Sequence, residues 1–229
     1  MTIEIISGST CPFAHRTRLV LMEKNVPYEL TEIDLSDKPA WFLELSPYEK
    51  VPVLRHGDLV VFESAIVNEY LEEVFPDPPL MPQSPAARAQ VRMWVDFANN
   101  RFIPPIYRLL MAQAPEEQAR QAGKLNEALR HMEQRWLQSH GDATWFAGDR
   151  LSLADLSLYP HLERFSAVAH YRGFRLGPEF PRLHAWLERM ADLPSVQALR
   201  APHAAYVEAW SKYAFNTSTG ATARDLREA

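Results

Sequence analysis

The sequence predicts a chain in two unlike parts: a small α/β domain over residues 1–80 and an all-helical domain over 86–215, followed by a flexible tail over 216–229. Three observations carry that prediction. Before Phe75 the apolar residues switch repeatedly between strand-like and helix-like spacing. The ten residues from Pro76 to Pro85 include five prolines, which neither a helix interior nor a central strand accepts. Beyond Pro85 nothing reads as a strand, and apolar residues recur at helical intervals.

The elements follow in order. Ile3 to Ile6 is a short apolar strand, Pro12 to Lys24 a helix, and Tyr28 to Ile33 a second strand. After a loop with a short helix, Val51 to Leu54 and Leu59 to Phe62 form two strands joined by a tight turn at His56-Gly57-Asp58. Ile66, Val67, Tyr70, Leu71 and Val74 then mark one face of a helix over Ser64 to Val74. The proline segment reads as a semi-rigid linker. Val91, Trp94, Val95, Ala98 and Phe102 mark a helix that Pro104-Pro105 should kink or end. Ala122, Leu125, Leu129, Met132 and Trp136 recur at alternating spacings of three and four, an amphipathic helix. Leu151-Ser152-Leu153-Ala154-Asp155-Leu156 has the form of a helix start, with Ser152 as N-cap and Asp155 at the third helical position. Leu183, Trp186, Leu187 and Met190 mark another helix, and Val196 to Trp210 one more. Residues 216–229 lack apolar periodicity and predict a frayed tail.

Composition narrows the function classes. With 229 residues, 47% of them hydrophobic, and a net charge of only -5, the chain can bury a sizeable core and is not disordered. One cysteine, Cys11, excludes a disulfide scaffold and a multi-cysteine zinc site. The eight histidines show no metal-ligand spacing, so no metal is assigned. No basic stretch leads into a long apolar run at the N-terminus, and no window reaches membrane-spanning length, so a cytoplasmic protein with a free thiol and no membrane partner is expected. Residues 1–80 carry six Lys/Arg against fourteen Asp/Glu, a balance of -8, and the remainder eighteen against fifteen, +3. That asymmetry fits two domains with different jobs and lacks the clustered basic face of a nucleic-acid binder.

Chemistry concentrates at four places. In Thr10-Cys11-Pro12-Phe13-Ala14-His15-Arg16, Pro12 suits the first helical position. Cys11 then sits at the N-cap, where free backbone N–H groups and the helix dipole favour thiolate. A dithiol motif would place its second cysteine where Ala14 stands. A lone thiolate can open a disulfide but needs an external thiol to be released from the mixed disulfide, which argues for a monothiol mechanism with a small-molecule thiol. In Lys50-Val51-Pro52-Val53 a proline opens a strand. A cis Val51–Pro52 bond would free the Val51 N–H and C=O to grip an extended peptide, whereas a plain edge-strand proline would do nothing of the kind. Glu63-Ser64 opens a helix: Ser64 as an N-cap, or Ser64 holding a carboxylate while Glu63 pairs with an ammonium. Lys38 is a solvated lysine unless it faces the same cleft, where it could pair with a carboxylate.

These residues together resemble the cytosolic glutathione S-transferases over nearly the full chain, and most of all their cysteine-type, omega-like members. The matching stretches are Cys11 to Leu21, Lys38-Pro39-Ala40-Trp41-Phe42, Val51-Pro52-Val53-Leu54, Glu63-Ser64-Ala65-Ile66, Leu151-Ser152-Leu153-Ala154-Asp155, and Phe180-Pro181 through Trp186 and Met190. The resemblance implies a thioredoxin-like α/β N-terminal domain, an all-α C-terminal domain and a homodimer. It makes Cys11 the catalytic thiol that forms a mixed disulfide with glutathione. Phe13, Lys38, Val51, Glu63 and Ser64 would bind glutathione, Val51 from beside an expected cis-Pro52. Lys50 joins them on charge, and Ser152 and Asp155 would be the structural helix cap near the site. Tyr107, Arg108, Met111 and Trp210 are placed by position on the second-substrate side.

The implied activity is glutathione-dependent thiol transfer or reduction, acting on glutathionylated proteins, dehydroascorbate or small disulfides. The family's usual Tyr or Ser activator is replaced by Cys11, which disfavours ordinary conjugation, although Ser9 and Thr10 could support some, and ether or halide cleavage uses the same thiol logic. A second class stays open. Glu69 to Pro82 also resembles the bacterial stringent starvation proteins, which bind RNA polymerase and are not known for catalysis, but that group generally lacks a Cys11-Pro12 pair.

Overall fold

The computed structural model describes residues 2–140 and 143–228, apart from the side chains of 136–140. The expected core position Trp136 therefore lies outside the described side chains.

Strand β1 (Ile3–Ser7) runs into helix α1 (Pro12–Glu23), which crosses over to β2 (Tyr28–Glu32) parallel to β1. A short α2 (Ala40–Leu45) precedes the hairpin β3 (Val53–His56) and β4 (Leu59–Phe62), and α3 (Ser64–Val74) follows. The sheet order is β2-β1-β3-β4, with β3 antiparallel to both neighbours. Gly57 turns the hairpin at φ +61°, a conformation glycine adopts without steric penalty.

Alternation along β1 sends side chains to two different cores. Ile3 and Ile5 pack with Leu19 and Val20 of α1 and with Val67 and Leu71 of α3, continuous with the helical domain. Ile6 joins Val53, Ile33, Val51 and Phe42 of α2 in a second, smaller core against which Cys11 packs. α1 is thus covered on both sides, by the sheet and by the helical domain. Even its His15, Arg16 and Thr17 are buried.

The proline linker is pinned from below. Lys24 Nζ, fully buried, donates to the carbonyls of Phe75 and Pro78 and pairs with Glu72 at 2.6 Å. Glu72 in turn accepts from the Leu80 and Met81 N–H groups. Ser84 caps α4 (Pro85–Phe97), accepting from the Ala87 N–H. A π-helical turn, Ala98–Phe102, separates it from α5 (Ile103–Met111). The expected break at Pro104-Pro105 thus takes the form of a widened turn, since these two residues lack the N–H groups an unbroken helix would use. α6 (Pro115–His140) is the long amphipathic helix, and α7 (Leu153–Glu163), α8 (Phe165–Arg172) and α9 (Pro181–Ala191) complete the bundle.

Two expectations are corrected. The single helix expected over Val196 to Trp210 is two, α10 (Pro194–Leu199) and α11 (His203–Ala214), because Pro202 interrupts the backbone between them. Within the tail, Ala221–Glu228 forms a helix, α12, rather than frayed chain. It buries Ala221 and Ala223, and such small residues leave little mark on an apolar pattern.

Candidate active site

One cavity of about 630 Å³ lies between the sheet and the helical domain. Its walls include Cys11, Phe13, Lys38, Lys50, Val51, Pro52, Glu63 and Ser64, so eight residues scattered over the first part of the sequence meet there. Of the residues placed on the second-substrate side, Tyr107 and Trp210 reach the cavity. Arg108 lines a separate surface groove instead, and Met111 is buried in the helical domain and is not part of the cavity wall. Ser152 and Asp155 are also away from it. They form the expected capping box at the start of α7, where Asp155 accepts from the Ser152 N–H and hydroxyl, the Phe146 N–H and the Trp186 indole.

Cys11 is the N-cap of α1, with extended backbone angles, Pro12 at the first turn, and no side-chain capping bond. The Val51–Pro52 bond is cis, and the Val51 carbonyl lies 4.0 Å from the Cys11 Sγ. The sulfur's electrostatics correct one expectation. Burial raises the thiol pKa, while the Ala14 and Phe13 N–H groups and the Arg164 and Arg16 charges pull it down without prevailing. The helix-end effect is therefore present as expected, but crowding by protein outweighs it. Cys11 still keeps part of its surface open to the cavity, so its surroundings are those of a pocket wall, not a sealed core.

Sequence reasoning missed the two buried guanidiniums behind that thiol. Arg16 donates to the Ser64 Oγ through Nε at 2.8 Å and through a terminal nitrogen, and to Asn99 Oδ1 of the π-helical turn at 2.9 Å. Burial lowers its pKa to about 10, still high enough to keep it charged. Ser64 is consequently not the N-cap of α3. Glu63 is, at φ +64°, and Ser64 holds the first helical position with its hydroxyl turned to Arg16. Since Arg16 occupies the Ser64 lone pairs, its O–H is left to donate elsewhere.

Arg164, at the end of α7, donates to the Thr10 carbonyl just before Cys11, to the Pro160 carbonyl and to Glu163, and covers the Tyr206 ring at 4.3 Å. It also meets His15 Nδ1 at 3.2 Å. Burial, helped by Arg164 and Arg18, holds His15 well below the ordinary histidine range. The His15 contact to Glu163 at 3.5 Å is thus one between a neutral ring and a carboxylate. Phe13 is held in place by His161 edge-on at 4.9 Å and by Arg16 over its face at 5.2 Å.

Across the cavity the helical domain presents aromatic side chains. Tyr107 packs on Trp210 and Tyr213, with ring centroids 5.5 and 4.9 Å apart. Burial keeps the Tyr107 phenol well above its usual pKa and pushes Tyr213 up to about 12, and the nearby Cys11 acts in the same direction on both. Both phenols therefore stay protonated, able to donate a hydrogen bond. The signal that ties Arg16, Arg164 and Asn99 to this site lies in three dimensions, since the contacts Arg16–Ser64, Arg16–Asn99 and Arg164–Thr10 span 48 to 154 residues of sequence. Among the described residues no group of three or more His, Cys, Asp or Glu side chains is placed to hold a metal, and no helix is long and apolar enough to cross a membrane.

A thioredoxin-like sheet with a cysteine at the first helix N-terminus beside a cis-proline, roofed by a helical domain, defines the structural class of this two-domain protein. Family comparison narrows that class. Residues 10–74 match the glutathione S-transferase N-terminal domain model and residues 115–189 the C-terminal domain model. The chain is 34% identical over 187 residues to glutathione S-transferase U22 of Arabidopsis thaliana, covering 81% of this chain and 84% of that protein. It is 31% identical over 200 residues to glutathione S-transferase omega-2 of Rattus norvegicus, covering 86% and 78%. Among solved structures it resembles glutathione transferase Omega 3C from Trametes versicolor, with a TM-score of 0.83, 28% identity, and 94% and 91% of the two chains covered. A rice glutathione S-transferase in complex with glutathione gives a TM-score of 0.83 at 29% identity, covering 92% and 97%. Dehydroascorbate reductase of Chlamydomonas reinhardtii gives 0.77 at 28%, covering 93% and 99%. The chain belongs to the glutathione S-transferase family.

Proposed function

We propose that this protein is a glutathione-dependent thiol transferase of the cysteine type. The observation that carries the reading is the chain's single cysteine, standing at the N-cap of α1 on the cavity wall beside cis-Pro52. In the proposed cycle the Cys11 thiolate attacks the glutathionyl sulfur of a mixed disulfide, forming a Cys11–glutathione disulfide. The other thiol leaves as thiolate and takes up a proton. A second glutathione thiolate attacks the Cys11–glutathione disulfide, giving oxidised glutathione and free Cys11. Val51 would hold the glutathione backbone, Ser64 its γ-glutamyl carboxylate, Glu63 its ammonium, and Lys38 or Lys50 its glycyl carboxylate. Phe13 would pack against the tripeptide. Dehydroascorbate is a candidate oxidised substrate, supported by the likeness to the algal reductase. A homodimer is part of the proposal, on family grounds.

Ordinary conjugation, with glutathione's own thiol as nucleophile, is the second reading. It is favoured by similarity to the Arabidopsis protein as close as that to the omega protein. The test is turnover of a glutathione mixed disulfide of a small thiol by wild type and Cys11→Ser, with an aromatic electrophile run beside it. Reduction by wild type alone supports the proposal. Conjugation by both proteins with no disulfide turnover supports the second reading.

A further inference from the structure

The tail is fastened very differently at its two ends. Where it leaves α11, the Ala214 carbonyl is held by Arg172 and by Gln113 at 3.0 Å, and Arg172 also binds the Leu109 and Leu110 carbonyls. A short irregular stretch follows, with Asn216 at φ +54°. Ser218, Thr219, Gly220, Ala221 and Thr222 then form part of the cavity wall. The far end, α12, buries Ala221 and Ala223 and packs Leu226 on the core, and two ion pairs tie it to the rim of the cavity, Arg224 to Glu49 at 2.7 Å and Asp225 to Lys50, all four charged side chains being substantially exposed. Exposed pairs of this kind hold weakly and are screened by salt.

One partner of that second fastening, Lys50, is also a residue proposed to meet glutathione's glycyl carboxylate, and the other, Glu49, lies against the second such residue, Lys38. Lys50 is taken by the Asp225 carboxylate, and Lys38 faces Glu49 at 3.7 Å through the same oxygen that holds Arg224. A ligand carboxylate and the tail therefore compete for Lys50.

We propose that residues 216–228 form a strap over the cavity, hinged after Ala214 and latched by the Glu49–Arg224 and Lys50–Asp225 pairs. In the closed state Asp225 occupies Lys50 in place of a substrate carboxylate, so binding and unlatching are coupled. The coupling to glutathione rests on the function proposed above. The strap itself rests on the geometry alone.

The full-length chain tests both parts, using Asp225→Asn and the double variant Arg224→Gln/Asp225→Asn at exposed positions. S-Methylglutathione, whose blocked thiol limits the readout to binding, should bind Asp225→Asn about threefold more tightly than wild type at low salt. The difference should vanish near 0.5 M NaCl (order of magnitude). Equal or weaker binding by Asp225→Asn at low salt overturns the competition. Because Cys11 is the chain's single cysteine, its alkylation reads the strap separately. A bulky pyrene maleimide should label the double variant about threefold faster than wild type, with iodoacetamide unchanged. Equal labelling by the bulky reagent overturns the strap. Failure of wild type to bind S-methylglutathione would instead sink the glutathione reading, and the alkylation result would still decide the strap.

Discussion

Two helix N-termini in this protein carry the same free N–H groups and use them in opposite ways. At the start of α7, Ser152 and Asp155 satisfy one another and the surrounding donors in a closed set of hydrogen bonds, with Asp155 wholly buried. At the start of α1, Cys11 makes no side-chain capping bond, and the N–H groups of Phe13 and Ala14 act on its sulfur. One end is closed and serves stability. The other is left open toward a cavity, where the proposed chemistry takes place. Polar groups buried without full satisfaction are costly, so an open helix end in a packed structure marks a functional site more sharply than the residue types alone.

The largest expected effect falls on the closed end. Asp155→Ala would strand the Phe146 and Ser152 N–H groups and the Trp186 indole in the core. Denaturant unfolding should show a loss of about 4–5 kcal/mol, near the upper limit for one substitution. A loss under about 1 kcal/mol would mean water replaces the carboxylate and the end is not closed at all. At the open end the loss should be catalytic. Cys11→Ser should reduce disulfide exchange on the order of 10³-fold, equivalent to about 4 kcal/mol of barrier. Substantial residual turnover would shift the assignment toward conjugation.

A third test separates burial from charge at Cys11. Because burial raises the thiol pKa, the alkylation rate at neutral pH should lie below that of an unburied cysteine and keep climbing into the alkaline range as the thiolate forms. Arg164 lowers that pKa, so Arg164→Met should displace the midpoint further upward and slow labelling at neutral pH. An unmoved midpoint would reduce Arg164 to a tie between α7 and the Thr10 carbonyl.

What the sequence disclosed follows the same divide between local and distant. Cys11-Pro12 and the Ser152/Asp155 box were legible because each is settled within four residues by proline geometry or capping, whereas the local sequence left Val51-Pro52 open between a cis bond and an edge-strand proline and only the family resemblance pointed to cis. The strands and α3 were legible from their repeat. The raised pKa of Cys11 was not, since it depends on how much protein crowds the sulfur. Arg16, Arg164 and Asn99 read as ordinary polar residues until the fold buries them, and α12 was missed because its anchors, Glu49 and Lys50, lie far back in the chain. Ser64 shows the limit most clearly. Its local pattern is that of an N-cap, and only the arrival of Arg16 from α1 turns the hydroxyl to another task.

The smallest effects give the sharpest comparison, because one kind of substitution should carry opposite signs at the two ends. Ser152→Ala removes a side-chain cap, and should lower stability by about 1 kcal/mol while leaving Cys11 labelling unchanged. Cys11→Ser does the reverse. The residue already has the extended backbone of an N-cap, at φ -68° and ψ 119°, and lacks only a side chain suited to accept from the helix. Serine supplies one, so this variant should be more stable than wild type by about 0.5–1 kcal/mol. Paired thermal and chemical unfolding of the two variants reads both signs. If Cys11→Ser is less stable than wild type, packing of the sulfur against Ile6, Val51 and Val53 outweighs the missing cap, and the open helix end is not where stability was given up for chemistry.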